Sequence, residues 1–216
     1  MLSIPDRFDE GKESVQTWLH KVKGEVFTVH RLDEETSGAM IFAKTPEAHA
    51  RLSQDFEEKR VEKVYLAITK SASQNEGSIE ESIAPHPYRK NVYVVDPRGK
   101  TSHTDYVVIE RLGPFALVEA RPLTGRTHQI RVHLQHAGLP LFVDSVYGLS
   151  KTFYLSSIKT LKKRPEQERP LMYRSSLHAH TIHFNHPVSG TKMSCEAPLP
   201  KDFKASLYQL RKRYGS

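Results

Sequence analysis

Short β-rich runs fill this chain at residues 64–68, 91–95, 103–110 and 115–121, each closed by turn residues such as Asp96-Pro97-Arg98-Gly99 or Gly113-Pro114. Helical patterns interrupt these runs irregularly instead of alternating with them. The order predicts an α+β fold, a mainly antiparallel mixed sheet with flanking helices, over a regular βαβ repeat. Further strands are expected at 26–30, 38–44, 177–184 and 191–196. Ser14 caps a short helix, and Thr45 caps one running from Pro46 to about Lys59, with Ala48, Leu52 and Phe56 on its buried stripe. Thr127 is the expected cap of a third helix, with Ile130 and Leu134 on its core side, and a terminal helix starts near Asp202. Trp18 and Phe56 read as core residues. No repeat or low-complexity stretch divides the chain, so residues 1–216 are expected to be one domain.

Composition narrows the class. Cys195 is the single cysteine of 216 residues, so an internal disulfide framework and a multi-cysteine zinc site are excluded, and a reducing, cytoplasmic location is expected. The start, MLSIPDRFDE, carries acids where a signal peptide has a basic and then an apolar region, and no 18-residue apolar run follows. His178, His180, His183 and His186 suggest a metal cluster, but strand alternation turns His183 away from His178 and His180, and no metal is expected. The net charge of +7 is uneven: 19 basic and 21 acidic side chains up to residue 150, then 13 and 4 over 151–216. Runs such as Lys162-Lys163-Arg164 and Arg211-Lys212-Arg213 suit phosphate, or simply a solvated surface. The lack of coiled-coil heptads makes a monomer the expectation.

Two segments are denser in polar groups than a fold requires. In His30-Arg31-Leu32-Asp33-Glu34-Glu35-Thr36-Ser37-Gly38 a carboxylate follows a strand end and precedes small hydroxyl residues, which is how a loop presents an acid at a cleft; an Asp33–Arg31 pair in an ordinary turn is the plain alternative. In Arg121-Pro122-Leu123-Thr124-Gly125-Arg126-Thr127-His128-Gln129-Ile130-Arg131-Val132-His133 a glycine turn feeds a helix N-terminus, whose free N–H groups attract anions. On that helix His128, Arg131 and Gln135 share a face, which a solvated basic helix would also show.

HRLDEETSG, KVYLA and PLTGRTHQIRVHLQHAGLPLFVDSVYG, in that order, closely resemble the RluA-type RNA pseudouridine synthases, and LHAHTIHFNHP is similar to the family's closing strands. The resemblance implies an isomerase that converts uridine to pseudouridine in ribosomal or transfer RNA, with RNA as partner and no cofactor. It makes Asp33 the catalytic aspartate and Arg131 its salt-bridge partner. Tyr65 becomes the ring stacked on the target base and Arg31 the residue that displaces the flipped nucleotide. Leu123, Thr124, Gly125, Arg126, Thr127 and His128 would line the site and touch RNA. The chemistry cuts the N1–C1′ bond, turns the uracil and rejoins it through C5, without oxidant, ATP or metal. Asp33 would attack the sugar, add to the base or remove a sugar proton, and each route needs it ionised. A stacked uridine must first be extruded, at a few kcal/mol.

Two departures from the family are visible. Its Lys-Pro-x-Gly motif and first strand would precede MLSIP, so the chain reads as N-terminally short, and Val143 stands where the family usually has Gly before Asp144. A competing expectation is therefore a catalytically silent RNA-binding homologue. A carboxylate glycosidase would need a second acid, for which only Glu34 and Glu35 are near.

Overall fold

A computed structural model describes residues 2–5, 12–71, 73–159 and 168–215. Along the chain, helix α1 (Val15–Lys23) precedes the short strands β1 (Phe27–Thr28), β2 (Ser37–Gly38) and β3 (Phe42–Ala43), then helix α2 (Pro46–Glu57). Strands β4 (Glu62–Lys70), β5 (Glu76–Ile79), β6 (Ile83–Pro85), β7 (Tyr93–Val95), β8 (Thr104–Leu112) and β9 (Phe115–Pro122) lead to helix α3 (Gln129–His136). Strands β10 (Leu177–Asn185) and β11 (Lys192–Glu196) and helix α4 (Lys201–Tyr214) close the chain.

The long strands pair antiparallel in the order β11-β10-β4-β9-β8-β5, and β2 joins β10 in parallel. This is the α+β, mainly antiparallel architecture that the strand runs predict. Alternation along β4 sends its side chains to two cores. Leu66 and Ile68 pack with Phe203, Leu207 and Leu210 of α4, while Ala67 packs with Ile130 and Leu134 of α3. The two helices therefore cover opposite sheet faces. Phe203, Leu207 and Leu210 are essentially fully buried, each contributing roughly 1.5–3 kcal/mol of transfer free energy.

Several local expectations are corrected. Helix α2 stops at Glu57, two residues early, because Lys59 turns left-handed (φ 58°) and the Arg60 N–H bonds back to the Asp55 carbonyl. Asn91 is left-handed as well (φ 58°), so the 91–95 run shrinks to β7. The 26–30 run keeps only Phe27 and Thr28 in a ladder, because its partner β3 is equally short. Trp18 is 47% exposed and α1 buries none of its residues, since its backbone ties are to Leu2 and Ser3 at its first turn rather than to a core. Phe56 is half-buried and stacks on the His30 ring at 4.8 Å, so it serves a cleft wall as well as a core. The basic run at 162–164 lies outside the described residues. The run at 211–213 sits on α4, the face opposite Tyr65, where Arg211 pairs with Glu110 at 2.7 Å and Arg213 donates to the Ile158 carbonyl.

The parallel β2–β10 contact anchors the loop that follows β1. Gly38 has φ +132°, and a Cβ there would lie 2.2 Å from the Ala179 carbonyl oxygen. Both facts demand glycine. Gly38→Ala is expected to push β2 off β10 and lower stability by about 2 kcal/mol or more, read as the midpoint of denaturant unfolding. A midpoint within error of the parent's would contradict this reading of the anchor.

Candidate active site

Asp33 lies in the turn between β1 and β2, closed by the Thr36 N–H on the Asp33 carbonyl at 2.9 Å. The turn is held from behind: buried Ser3 donates its hydroxyl to the Leu32 carbonyl at 2.7 Å and accepts the Leu32 N–H at 3.0 Å. From below, the Ser37 hydroxyl meets His178 Nδ1 at 2.8 Å, and His178 Nε2 reaches the Ala197 carbonyl at 3.0 Å. A carbonyl only accepts, so Nε2 carries the proton and Nδ1 accepts from Ser37. Burial lowers the His178 pKa, in keeping with this neutral ring. His178 is thus a strut under the loop; its neighbour His180 shares its face and also bonds Ala197, at 3.1 Å.

Arg131 comes from α3, 98 residues away in sequence, and its Nη1 stands 3.1 Å from Asp33 Oδ2. The plain alternative, Asp33 paired with its neighbour Arg31, is not what forms: Arg31 is exposed on the cleft rim. Nor is α3 a solvated basic face, since Arg131 is 5% exposed while Gln135 lies in water. The other edge of the guanidinium forks onto Asp144, Nε to Oδ2 at 2.6 Å and Nη2 to Oδ1 at 3.0 Å. Asp144 is wholly buried and also accepts the Val146 and Tyr147 N–H groups at 2.8 and 2.9 Å. Burial opposes both charges, yet the paired hydrogen bonds outweigh it, holding Arg131 above the ordinary arginine range and Asp144 below the usual carboxylate range. The Tyr147 ring lies under the guanidinium at 4.9 Å. Arg131 therefore has one rigid anionic partner and offers its remaining edge to Asp33.

The expected cap of α3 is corrected. Thr127 is exposed, and the helix starts at Gln129 after His128, which is left-handed (φ 57°, ψ 17°) with no side-chain cap. That turn brings His128 Nδ1 within 2.9 Å of the Tyr147 hydroxyl, which also accepts the Tyr93 N–H at 2.8 Å. Burial lowers the His128 pKa, favouring the neutral ring. The residue that holds the turn is buried Gln129. Its side chain accepts the Arg126 N–H at 3.0 Å and the Thr124 hydroxyl at 2.7 Å, and donates to His103 O and Thr104 Oγ1 at 2.9 Å each.

These elements enclose a cleft of about 540 Å³ whose lining includes every residue expected of the site: Asp33, Tyr65, Arg131, Arg31 and the whole segment Leu123, Thr124, Gly125, Arg126, Thr127 and His128. Gly125 has open space around its Cβ position, and Leu123 is 40% exposed, so this rim is free to meet a ligand. Tyr65 is half-buried beside Asp33, and burial first, then the Asp33 charge, raises its pKa. The phenol keeps its proton at neutral pH.

Four further residues shape the cleft or its floor without having been assigned a role from the sequence: Asp144, Tyr147, His30 and Lys63. His30 accepts the Ile41 N–H at 2.9 Å, and burial, then nearby Lys63, draws its pKa to about 4. Lys63 was discoverable, since it sits two residues before Tyr65 and alternation puts both on one face. Glu34 pairs with Lys12 at 2.9 Å, while Glu35 is turned toward Asp144 and Ser145, so neither joins Asp33 in the cleft as a glycosidase would need. Among the described residues no group of three metal-ligating side chains stands together, and no helix is long and apolar enough to cross a membrane.

Comparison with known proteins gives this geometry a lineage. The profile of the RNA pseudouridylate synthase family matches residues 3–136. The ribosomal large subunit pseudouridine synthase D of Pseudomonas aeruginosa is 36% identical over 187 residues, covering 85% of this chain and 56% of the relative. An uncharacterised RNA pseudouridine synthase of Chlorobaculum parvum is 41% identical over 190 residues, covering 85% and 57%. The chain thus spans about half the length of the curated relatives it matches. Among solved structures, human RNA pseudouridylate synthase domain containing 4 superposes with a TM-score of 0.70 at 25% identity, covering 91% of this chain and 82% of that one. The human domain-containing-1 protein gives 0.66 at 29% identity, covering 87% and 74%. With the matched segment carrying Asp33, Tyr65 and Arg131 into one cleft, the chain belongs to the RNA pseudouridylate synthase family.

Proposed function

We propose that this chain isomerises uridines in RNA to pseudouridine, acting on ribosomal RNA, as the names of its bacterial relatives suggest, or on transfer RNA. The observation that carries the reading is a half-buried carboxylate, Asp33, held by the free edge of a buried arginine whose other edge is locked onto Asp144. An acid that must act ionised in a cleft with restricted water benefits from a fixed opposite charge, and a guanidinium already oriented by Asp144 needs no reorganisation when substrate enters.

In this reading the extruded uracil stacks on Tyr65, and Arg31 on the rim fills the vacated place in the RNA stack. Asp33 promotes cleavage of N1–C1′. The uracil turns within the cleft, C5 bonds to C1′, and the C5 proton leaves to solvent while N1 regains one. No net redox change or external group is involved. Because the Tyr65 phenol keeps its proton, its hydroxyl serves as a hydrogen-bond and proton-relay group next to Asp33, and the ring provides stacking. Tyr65→Phe is expected to lower kcat by about 10- to 100-fold while changing RNA affinity less than about twofold. An unchanged kcat would assign the residue to stacking alone.

The test is tritium release from RNA labelled at uridine C5, with ribosomal and transfer RNA as separate substrates. Release expected from at least one of them supports the activity and identifies the class. A folded chain that binds both RNAs and releases nothing overturns it in favour of a silent RNA-binding homologue.

A further inference from the structure

The cleft contains a cation that the pairing of Asp33 with Arg131 leaves unused. Lys63 projects from β4 on the same face as Tyr65, and its Nζ donates to the Thr124 carbonyl at 3.1 Å. An ammonium has three N–H donors, so among the described residues this contact leaves two without a partner. Among the described residues no carboxylate stands within ion-pair distance of Nζ, and burial alone draws its pKa to about 8. The groups around it are no help: His30 is neutral, the Tyr65 phenol is protonated, and the nearby rim adds the cations Lys59, Arg126 and Arg31. Glu57, the other acid of the lining, is exposed at the end of α2. Partly burying an unpaired cation is unfavourable unless an anion completes it. The cleft wall here is cationic over Lys59, Lys63 and Arg126, and the adjoining Gly125 has nothing over it, which leaves room for a bulky anion rather than a side-chain carboxylate.

Resting on the RNA reading above, we infer that Lys63 is a phosphate-binding residue, docking one backbone phosphodiester of the bound RNA against the Thr124-Gly125 turn. The alternative role is a peg that holds this turn through the Thr124 carbonyl and never touches RNA. Charge separates the two. Each phosphate neutralised by a cation contributes about 0.7 to 0.9 to the slope of log K against log salt.

The experiment measures binding of a synthetic uridine-containing RNA stem–loop by the full chain over a series of salt concentrations, for the parent, Lys63→Met and Lys63→Arg. The expected result for Lys63→Met is binding about tenfold weaker at low salt, with the slope reduced by about 0.7 to 0.9 and KM raised to match. Lys63→Arg keeps the charge and should restore the parent's slope. A slope unchanged in Lys63→Met, with only its melting temperature lowered, overturns the proposal and leaves the peg. Equal loss of slope in Lys63→Arg also overturns it, because the charge is still present. A parent that binds RNA with the expected slope but releases no tritium contradicts the proposed activity while leaving this contact intact, whereas a parent that binds no RNA overturns both.

Discussion

Asp33→Asn is expected to lower tritium release from C5-labelled RNA by at least about a thousandfold while the chain stays folded. The substitution keeps size and shape and removes only the charge and the ability to attack or to accept a proton. The substituted amide still presents an oxygen to Arg131 Nη1, and Arg131 keeps its fork onto Asp144. The Asp33 side chain is 21% exposed, so water screens part of its interaction, and the stability change should stay near about 1 kcal/mol, or about 2–4 °C in Tm. RNA binding should be retained or slightly tighter, because a negative charge has left a cleft that receives a polyanion. Release within tenfold of the parent, measured on the same RNA, would remove Asp33 from the chemistry and with it the proposed mechanism.

Arg131→Met should be the most damaging change to the molecule as a whole. It strands the Asp144 carboxylate, which is wholly buried and would keep just two backbone N–H donors and a distant Ser175 hydroxyl at 3.5 Å. Removing one partner of a buried pair costs about 3–5 kcal/mol. For a chain of this size that is a fall of roughly 6–20 °C in Tm. Activity is lost too, since Asp33 no longer faces a cation. The two consequences are separable. Adding Asp144→Asn to Arg131→Met removes the stranded charge and should recover much of the stability, measured by denaturant unfolding, while tritium release stays absent. Recovery of activity along with stability would show that Arg131 acts only as a structural strut.

The candidate residues and the Asp33–Arg131 pair were readable along the chain through the family resemblance, but the contacts that support them were not. Asp33, Tyr65 and Arg131 fall in three ordered motif blocks, and the strand runs around them already implied an antiparallel sheet. Asp144 was noticed only for the unusual residue before it. Its role depends on a fork to α3 that no local pattern encodes. The left-handed His128 was hidden because Thr127 is a better cap by residue type, yet the Tyr147 hydroxyl and the Gln129 side chain reward a different turn. The parallel β2–β10 pairing involves two residues of β2, too short for a period of two to be visible.

Trp18 teaches the converse: an aromatic residue at helical spacing predicts burial only when an element is available to cover it, and α1 has none among the described residues. Side-chain alternation and turn residues made the fold class legible from the sequence alone, and the family resemblance of three ordered blocks pointed to Asp33, Tyr65 and Arg131, which the fold brings to one cleft. Only the tertiary structure decided that Asp144 shares that arginine, on which face of the sheet the cleft opens and which cleft lysine has no carboxylate partner among the described residues. Burial and pairing are properties of groups distant in sequence, and their free energies exist only once the chain has brought those groups within a few ångströms of each other.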